Sequence, residues 1–146
     1  MPGKYFLDTN IFVYCFDRED QHKQSRADAL VSEAIQGHHG VVSTQVVQEF
    51  LNVATAKFAY PMDRNESSAY LDAVLVPLCE VYPTIALYRE ALDLRATTGY
   101  SFYDSLIIAA ALEARCGLLY SEDLQDGQSI RELKIVNPFQ AVSAGR

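Results

Sequence analysis

Four acidic side chains stand at positions where folding alone gives little reason for a charge. Asp8 and Asp123 each follow a short apolar run, so both are expected at the carboxyl ends of strands, where α/β proteins bind ligands. Glu49 falls at the margin of the apolar face of a predicted helix, and Asp104 lies in the first turn of a helix that is apolar nearly all round. A buried charge is costly unless it is paired or bound to a metal, so these four acids are candidate metal ligands.

Carboxylates that share one crevice favour hydrolytic chemistry that depends on a metal ion. Like charges raise one another's pKa values unless a cation lies between them, and hard oxygen ligands suit Mg²⁺ or Mn²⁺. Such ions bind a substrate phosphate, lower the pKa of a bound water and offset charge on the leaving oxygen. The predicted reaction is therefore hydrolysis of a phosphodiester bond.

Two of the acids also have a structural explanation within their helices. Glu49 could be a glutamate at the rim of the core that turns outward. Asp104 would stand third after a capping Ser101, where an acid interacts favourably with the helix dipole. The dipole explains an acid in the first turn but not one on the inward side of an apolar helix, so we expect Asp104 to be buried.

The acid after the later strand is the one that spacing does not single out. Asp123 could be an ordinary turn aspartate, since aspartate is common in turns. Glu122 and Asp126 lie close to it along the chain, and each could supply a carboxylate at the same strand end. The residues alone therefore leave the choice among the three open.

Strand and helix patterns alternate along the chain. Short apolar runs predict five strands, at 4–7, 41–43, 79–82, 118–120 and 133–136. Helical spacing predicts helices at 11–16, 22–35, 45–58, 65–75, 84–98 and 101–114. Thr44 is a predicted N-cap and Pro77 a predicted helix end. This alternation predicts an α/β fold whose parallel sheet is covered by helices on both faces.

The composition restricts how the chain could bind nucleic acid. Its formal net charge is −7, which argues against a broad basic face, because such binding depends on Lys and Arg at the phosphates. Bound metal would then have to supply the local positive charge. The three cysteines are far apart and form no CxxC pair, so we expect free thiols in a reducing compartment. No apolar run is long enough for a membrane span, and the cytoplasm is the expected location.

Four short motifs, in this order, resemble the PIN-domain ribonucleases, especially the VapC-type toxins of bacterial and archaeal toxin–antitoxin pairs. They are FLDTN at 6–10, VVQEF at 46–50, FYDSLI at 102–107 and SEDL at 121–124. The resemblance spans nearly the whole chain. It implies a single PIN-like domain over residues 1–146, with a three-layer α/β/α fold and a central, mainly parallel sheet of about five strands.

The resemblance also implies an activity and its site residues. The activity is that of a divalent-metal endoribonuclease, using Mg²⁺ or Mn²⁺, in which a metal-activated water cleaves single-stranded RNA without a covalent protein intermediate. The metal-binding and catalytic quartet would be Asp8, Glu49, Asp104 and Asp123. The residues that orient ligands or waters would be Thr9 or Asn10, and Ser121. By this resemblance, Asp123 is chosen over its acidic neighbours.

Partners are likewise implied by the resemblance, since toxins of this family usually form dimers and are inhibited by a small antitoxin protein. We therefore expect RNA as substrate, an antitoxin and a homodimer. Tyr103 and Lys57 are candidate substrate contacts, through base stacking and phosphate binding respectively. Further candidates of the same two kinds are Arg18, Lys23, Arg89, Arg95, Tyr100 and Phe102.

Two other functions stay open. A metal-dependent phosphatase of the haloacid-dehalogenase type also has an aspartate after its first strand, but it needs a second aspartate two residues on, where this chain has Asn10. A non-catalytic PIN-like module that binds RNA or protein would have no need to keep four acids together. A P-loop enzyme is excluded because the sequence has no Gly-rich phosphate loop.

Overall fold

The computed structural model describes residues 3–140, so both ends of the predicted domain, 1–2 and 141–146, lie outside the described residues. The strands in this range are β1 (Tyr5–Leu7), β2 (Gly40–Ser43), β3 (Cys79–Val81), β4 (Leu118–Tyr120), β5 (Ser129–Ile130) and β6 (Leu133–Val136). The helices are α1 (Thr9–Tyr14), α2 (Gln21–Gly37), α3 (Thr44–Ala56), α4 (Arg64–Tyr70), α5 (Val76–Leu78), α6 (Ile85–Thr98) and α7 (Phe102–Glu113).

The strands form one sheet in the order β3-β2-β1-β4-β6-β5. Neighbouring strands are parallel except β5, which pairs antiparallel with β6. With helices on its faces, this sheet confirms the predicted three-layer α/β/α fold. It has one strand more than the five we expected, because β5 contains only two residues and is too short to show an alternating pattern in the sequence.

The central position of β1 determines where a site can form. β1 pairs with β2 on one side and with β4 on the other, so the strand order reverses between β1 and β4. Phe6 and Leu7 in this strand are fully buried. A reversal of strand order opens a crevice beyond the carboxyl ends of the two parallel strands. The first residues to enter that crevice are Asp8 after β1 and Ser121 after β4.

The boundaries of α6 follow capping signals in the sequence, whereas the start of α3 differs from its predicted position. Thr84 Oγ1 accepts a hydrogen bond from the Leu87 backbone N–H at 3.0 Å at the start of α6, and Gly99 ends α6 with a φ of 82°, so α6 occupies the helix predicted at 84–98. The predicted cap of α3 is wrong by one residue. Ser43 is its N-cap, Thr44 is the first helical residue, and the Ser43 side chain accepts no hydrogen bond from the first turn in the described structure.

The prediction that a helix ends at Pro77 is wrong. After α4 the chain continues through a π-helical turn (Leu71–Leu75) into α5, which contains Pro77 and ends at Leu78. In a regular α-helix a proline ring clashes with the carbonyl four residues earlier, here that of Ala73. Ala73 lies inside the π-helical turn, where hydrogen bonds span five residues, and this change of register accommodates the proline.

The remaining general expectations concern the membrane and the cysteines. In the part of the chain that the structure describes, no helix has the length and hydropathy needed to cross a bilayer. All three cysteines are unpaired, as predicted: Cys116 is buried, and Cys15 and Cys79 are half-buried. Burial raises the pKa of the Cys116 thiol to about 12, so this thiol is protonated and unreactive at neutral pH.

Candidate active site

Asp8 lies at the carboxyl end of β1 and is almost completely buried, with 8% of its surface exposed. It is the N-cap of α1, where Oδ1 accepts a hydrogen bond from the Thr9 backbone N–H at 2.7 Å. Oδ2 accepts another from Ser121 Oγ at 2.8 Å, across the crevice at the end of β4. Burial raises the pKa of Asp8 to about 6, and the charges of Asp123 and Glu49 add to this rise, whereas the two hydrogen bonds oppose it.

Glu49 reaches the same crevice from the second turn of α3, and it is half-buried, as its position at the margin of the apolar face predicted. Both carboxylate oxygens accept hydrogen bonds from neutral side chains. Thr9 Oγ1 donates to Oε1 at 2.5 Å, and Gln45 Nε2 donates to Oε2 at 3.0 Å. These two contacts orient Glu49 without neutralising its charge.

Gln45 is a site residue that the sequence prediction missed. Its Nε2 also donates to the backbone carbonyl of Tyr103 at 3.2 Å, so it joins α3 to the start of α7. The signal was present in the sequence, since Gln45 precedes Glu49 by four residues and side chains at that spacing meet on one helix face. The contact with Tyr103 could not be predicted from spacing, because the two residues lie 58 positions apart.

Asp123 enters the crevice from the loop after β4. Its Oδ2 accepts a hydrogen bond from Asn10 Nδ2 at 2.9 Å, and its backbone N–H donates to Ser121 Oγ at 3.3 Å. Burial raises the pKa of Asp123 above its ordinary value, and the charges of Glu122, Asp104 and Glu49 raise it further. The hydrogen bond from Asn10 partly offsets the increase.

The two acidic neighbours of Asp123 are engaged elsewhere. Glu122 accepts hydrogen bonds from Lys23 Nζ at 2.5 Å and from the Tyr14 hydroxyl, so it forms an ion pair with α2 and does not line the cleft. Lys23, a candidate phosphate contact in the sequence, is therefore occupied by this pair. Asp126 Oδ1 accepts a hydrogen bond from the Asn137 backbone N–H at 2.8 Å. Asp123 is the one of the three acids that lines the crevice.

Asp104 stands at the third position of α7, after its N-cap. Ser101 Oγ accepts a hydrogen bond from the Asp104 backbone N–H at 3.1 Å, which is the predicted capping contact. The expectation that Asp104 is buried is wrong, because its side chain is half-buried. The buried stretch of α7 begins one residue later, at Ser105, so Asp104 lies at the mouth of the crevice.

The four acids line one cleft, and the lining contains no Lys, Arg or His among residues 3–140. Hydroxyl, amide and apolar side chains form the rest of its wall, including Thr9, Asn10, Gln45, Asn52 and Ile107. A set of carboxylate donors without a basic partner fits a hard divalent cation. Within residues 3–140, however, no three carboxylate, imidazole or thiol groups stand close enough to form a ready-made metal site. A cation would have to draw the carboxylates together.

The family of this chain follows from a comparison with known protein families. A model of the PIN domain family matches residues 5–126, a range that includes all four acids. The chain belongs to the PIN domain family. A search of curated proteins gave no significant match.

Several solved structures with the same fold superpose on most of this chain. A toxin–antitoxin complex from Klebsiella pneumoniae is 18% identical, with a TM-score of 0.66 over 92% of this chain and 98% of that one. VapC20 of Mycobacterium tuberculosis, described as a sarcin–ricin loop cleaving toxin, is 17% identical, with a TM-score of 0.61 over 82% and 90%. FitAcB from Neisseria gonorrhoeae is 18% identical, with a TM-score of 0.59 over 92% and 98%. At these identities the likeness is one of fold.

The two candidate substrate contacts lie in different parts of this PIN domain. Tyr103, with 65% of its surface exposed, lines the cleft beside Asp104. Lys57 is the C-cap of α3, two turns beyond Glu49, and it lines a separate cavity with Phe16. The structure therefore brings Tyr103 together with the acids and leaves Lys57 outside the cleft.

Proposed function

We propose that this PIN domain is a divalent-metal-dependent endoribonuclease that hydrolyses RNA phosphodiester bonds. One observation carries the proposal: four carboxylates line a single cleft at the reversal of strand order, with no basic side chain in the described lining to neutralise them. Family membership adds weight, because the acids belong to the segment that the PIN family model matches. The protein would act in the cytoplasm.

The roles of the residues follow from their contacts. Mg²⁺ or Mn²⁺, held by Asp8, Glu49, Asp104 and Asp123, would supply a hydrolytic water of lowered pKa and offset charge on the leaving oxygen. Ser121 and the Thr9 backbone N–H hold Asp8 in one orientation. The Thr9 hydroxyl does the same for Glu49, and the Asn10 amide for Asp123. These neutral donors position the acids and leave their negative charge available to a cation.

The physiological role that we propose is that of a toxin controlled by a small antitoxin protein. Support comes from two structures of the same fold, of which one is described as a toxin–antitoxin complex and the other as a toxin. A homodimer is part of the proposal. Ile85 and Leu92 are seven residues apart on one face of α6, with 65% and 56% of their surfaces exposed, and an exposed apolar face of this kind is typical of an interface.

Of the two alternatives, the phosphatase does not fit a member of the PIN family. A phosphatase of that type also needs a second aspartate at position 10. This chain has Asn10 there, and its side-chain amide donates a hydrogen bond to Asp123. The non-catalytic module is the alternative that an experiment has to separate, since a PIN fold could bind RNA or protein without hydrolysing it.

The test is cleavage of a mixed, structured RNA pool with and without Mg²⁺ or Mn²⁺, by the wild type, Asp8→Asn and Asp104→Asn. Asp93→Asn, which removes an exposed acid from α6, is the matched control. We expect metal-dependent cleavage that is lost in both site variants and kept in the control. Cleavage that persists in EDTA, or in both site variants, would contradict the proposal. RNA binding without cleavage by the wild type would favour the non-catalytic module.

A further inference from the structure

A second cavity adjoins the acid cleft. It lies between the start of α3 and the facing sides of α6 and α7, and its volume is about 330 Å³, within the range of small-molecule sites. Gln45 and Tyr103 line both this cavity and the acid cleft, so the two share a wall. None of the described residues that line the second cavity carries a charge. A neutral ligand group therefore suits it better than a phosphate does.

Aromatic side chains form one side of this second cavity. Phe102 packs edge-on against Tyr103 with ring centroids 5.5 Å apart, and Tyr88 lies 6.4 Å from Phe102. The Tyr103 ring is largely exposed although it is directly beside Asp104. A large exposed aromatic ring that contributes little to the core is well suited to stack on a planar group, and every nucleobase offers a planar face.

Polar side chains at the end of β2 and the start of α3 also line the cavity. The Thr44 hydroxyl and the Gln48 amide belong to the lining. Ser43 and Gln45 also line the cavity, and Ser43 Oγ and Gln45 Oε1 are buried with no hydrogen-bond partner among residues 3–140. The Gln45 amide orientation is fixed, because Nε2 donates to Glu49 and to the Tyr103 carbonyl, both acceptors. Ser43 Oγ and Gln45 Oε1 are both closed off from solvent, so the hydrogen-bonding groups available to a ligand in the cavity are the Thr44 hydroxyl and the Gln48 amide.

We propose that this second cavity binds one nucleobase of the RNA, next to the phosphodiester that is cleaved, and gives the enzyme a base preference at that position. Tyr103 stacks on the base, and the amide and hydroxyl groups of Gln48 and Thr44 contact its edge. Because Gln45 contacts Glu49 directly, a base in the cavity also acts on the position of a catalytic acid. The inference depends on the proposed ribonuclease function and adds to it a site that selects the substrate.

The first test measures which bases are preferred beside the cleaved bond. A randomised RNA pool is digested in Mg²⁺, and the bases beside the new ends are counted for the wild type, Tyr103→Ala, Tyr103→Phe and Gln48→Ala. Tyr60→Ala is the control, since Tyr60 is an exposed tyrosine outside the cavity. We expect a preference at one position beside the cut. Tyr103→Ala should weaken it and lower kcat/KM on the preferred sequence about 5- to 150-fold, as expected for a lost stacked base.

The variants differ in what they should preserve. Tyr103→Phe keeps the ring and should keep the preference, whereas Gln48→Ala should change which base is preferred with a smaller loss of rate. Tyr60→Ala should behave as the wild type. If the wild type cleaves RNA and all variants share its preference, or if it has no preference, the inference is overturned and the ribonuclease proposal stands.

The second test does not require cleavage. Asp104→Asn protein, inactive under the proposed function, is titrated in Mg²⁺ with each of the four homotetranucleotides while the side-chain amide NMR signals of Gln45 and Gln48 are followed. We expect one base to shift these signals more than the other three, and Tyr103→Ala in the same background to weaken that binding. This outcome supports base binding in the second cavity even if the wild type fails to cleave RNA. In that case only the ribonuclease proposal fails.

A second copy of the chain is the competing occupant, because Tyr88 lies near the exposed apolar face of α6. If the Gln45 and Gln48 signals change with protein concentration and are unaffected by all four oligonucleotides, the cavity is an interface between copies and the inference is overturned.

Discussion

Replacing the central acid should make the metal-free protein more stable, and the gain should depend on pH. Burial raises the pKa of Asp8 from 3.8 to about 6. The folded state therefore binds more protons than the unfolded state between these two pH values. Stability falls as pH rises through that window, and the full cost is present above about pH 6. This pKa shift lowers the free energy of unfolding by roughly 3 kcal/mol at pH 8 and by about half of that at pH 5.

Asp8→Asn removes this cost and keeps most of the local contacts. The amide oxygen can still accept the hydrogen bond from the Thr9 backbone N–H. Ser121, which donates to Asp8 Oδ2 in the wild type, would have to rotate and accept from the new amide N–H. Because this rearrangement has a cost of its own, we expect a net gain of roughly 1–3 kcal/mol at pH 8 and a clearly smaller gain at pH 5.

The assay is urea unfolding in EDTA at pH 5 and pH 8, with Asp93→Asn as the control for removal of an exposed charge. Adding Mg²⁺ at pH 8 should stabilise the wild type more than Asp8→Asn, because a bound cation offsets the buried charge. If Asp8→Asn is less stable than the wild type at pH 8, or if its gain is the same at both pH values, the uncompensated charge is not what limits stability at this site.

Three further predictions address packing, the ion pair and assembly. Gly40→Ala places a Cβ 2.2 Å from the Ala34 Cβ, so thermal unfolding should reveal a loss of about 1–3 kcal/mol, and no loss would mean that α2 can move away from β2. Lys23→Met removes the cation that holds Glu122, and single-turnover cleavage should become slower. Adding Glu122→Gln to this variant should restore part of the rate. An unchanged rate in Lys23→Met would show that the loop after β4 does not depend on the Lys23–Glu122 ion pair. Leu92→Glu puts a charge on the exposed face of α6, and under the proposed homodimer sedimentation should detect a dimer for the wild type and a monomer for the variant. A variant that still forms a dimer would assign the interface to another surface.

The features that the sequence predicted correctly are governed by short stretches of chain. Asp8 follows a three-residue buried strand, and the strand end and helix start that position it lie within a few residues. The caps of α6 and α7, Thr84 and Ser101, are likewise local contacts over three residues. Where one segment contains both the signal and the structure that it determines, capping preference and apolar spacing are sufficient.

The errors concern features that depend on distant parts of the chain or on very short elements. Gln45 binds the Tyr103 carbonyl 58 residues away, and no periodicity in the sequence encodes that contact. Lys57 lies at the end of α3 outside the cleft, a placement that its charge could not indicate, and its contact with RNA stays a prediction. Asp104 was expected to be buried because the whole helix is apolar, but the first turn of α7 projects to the mouth of the crevice, where burial depends on neighbouring elements.

The partners of the acids explain why sequence spacing could not choose between Glu122 and Asp123. Glu122 is paired with Lys23, an arrangement that neutralises its charge and ties the loop after β4 to α2. Asp123, the next residue, accepts its hydrogen bond from the neutral amide of Asn10. A cation in the cleft would compete with a lysine at Asp123 but not with an amide, so a neutral donor fixes the side chain and keeps its charge available. The substitution Asn10→Lys would give Asp123 the charged kind of partner that Glu122 has. It should therefore weaken Mg²⁺ binding while the fold is retained.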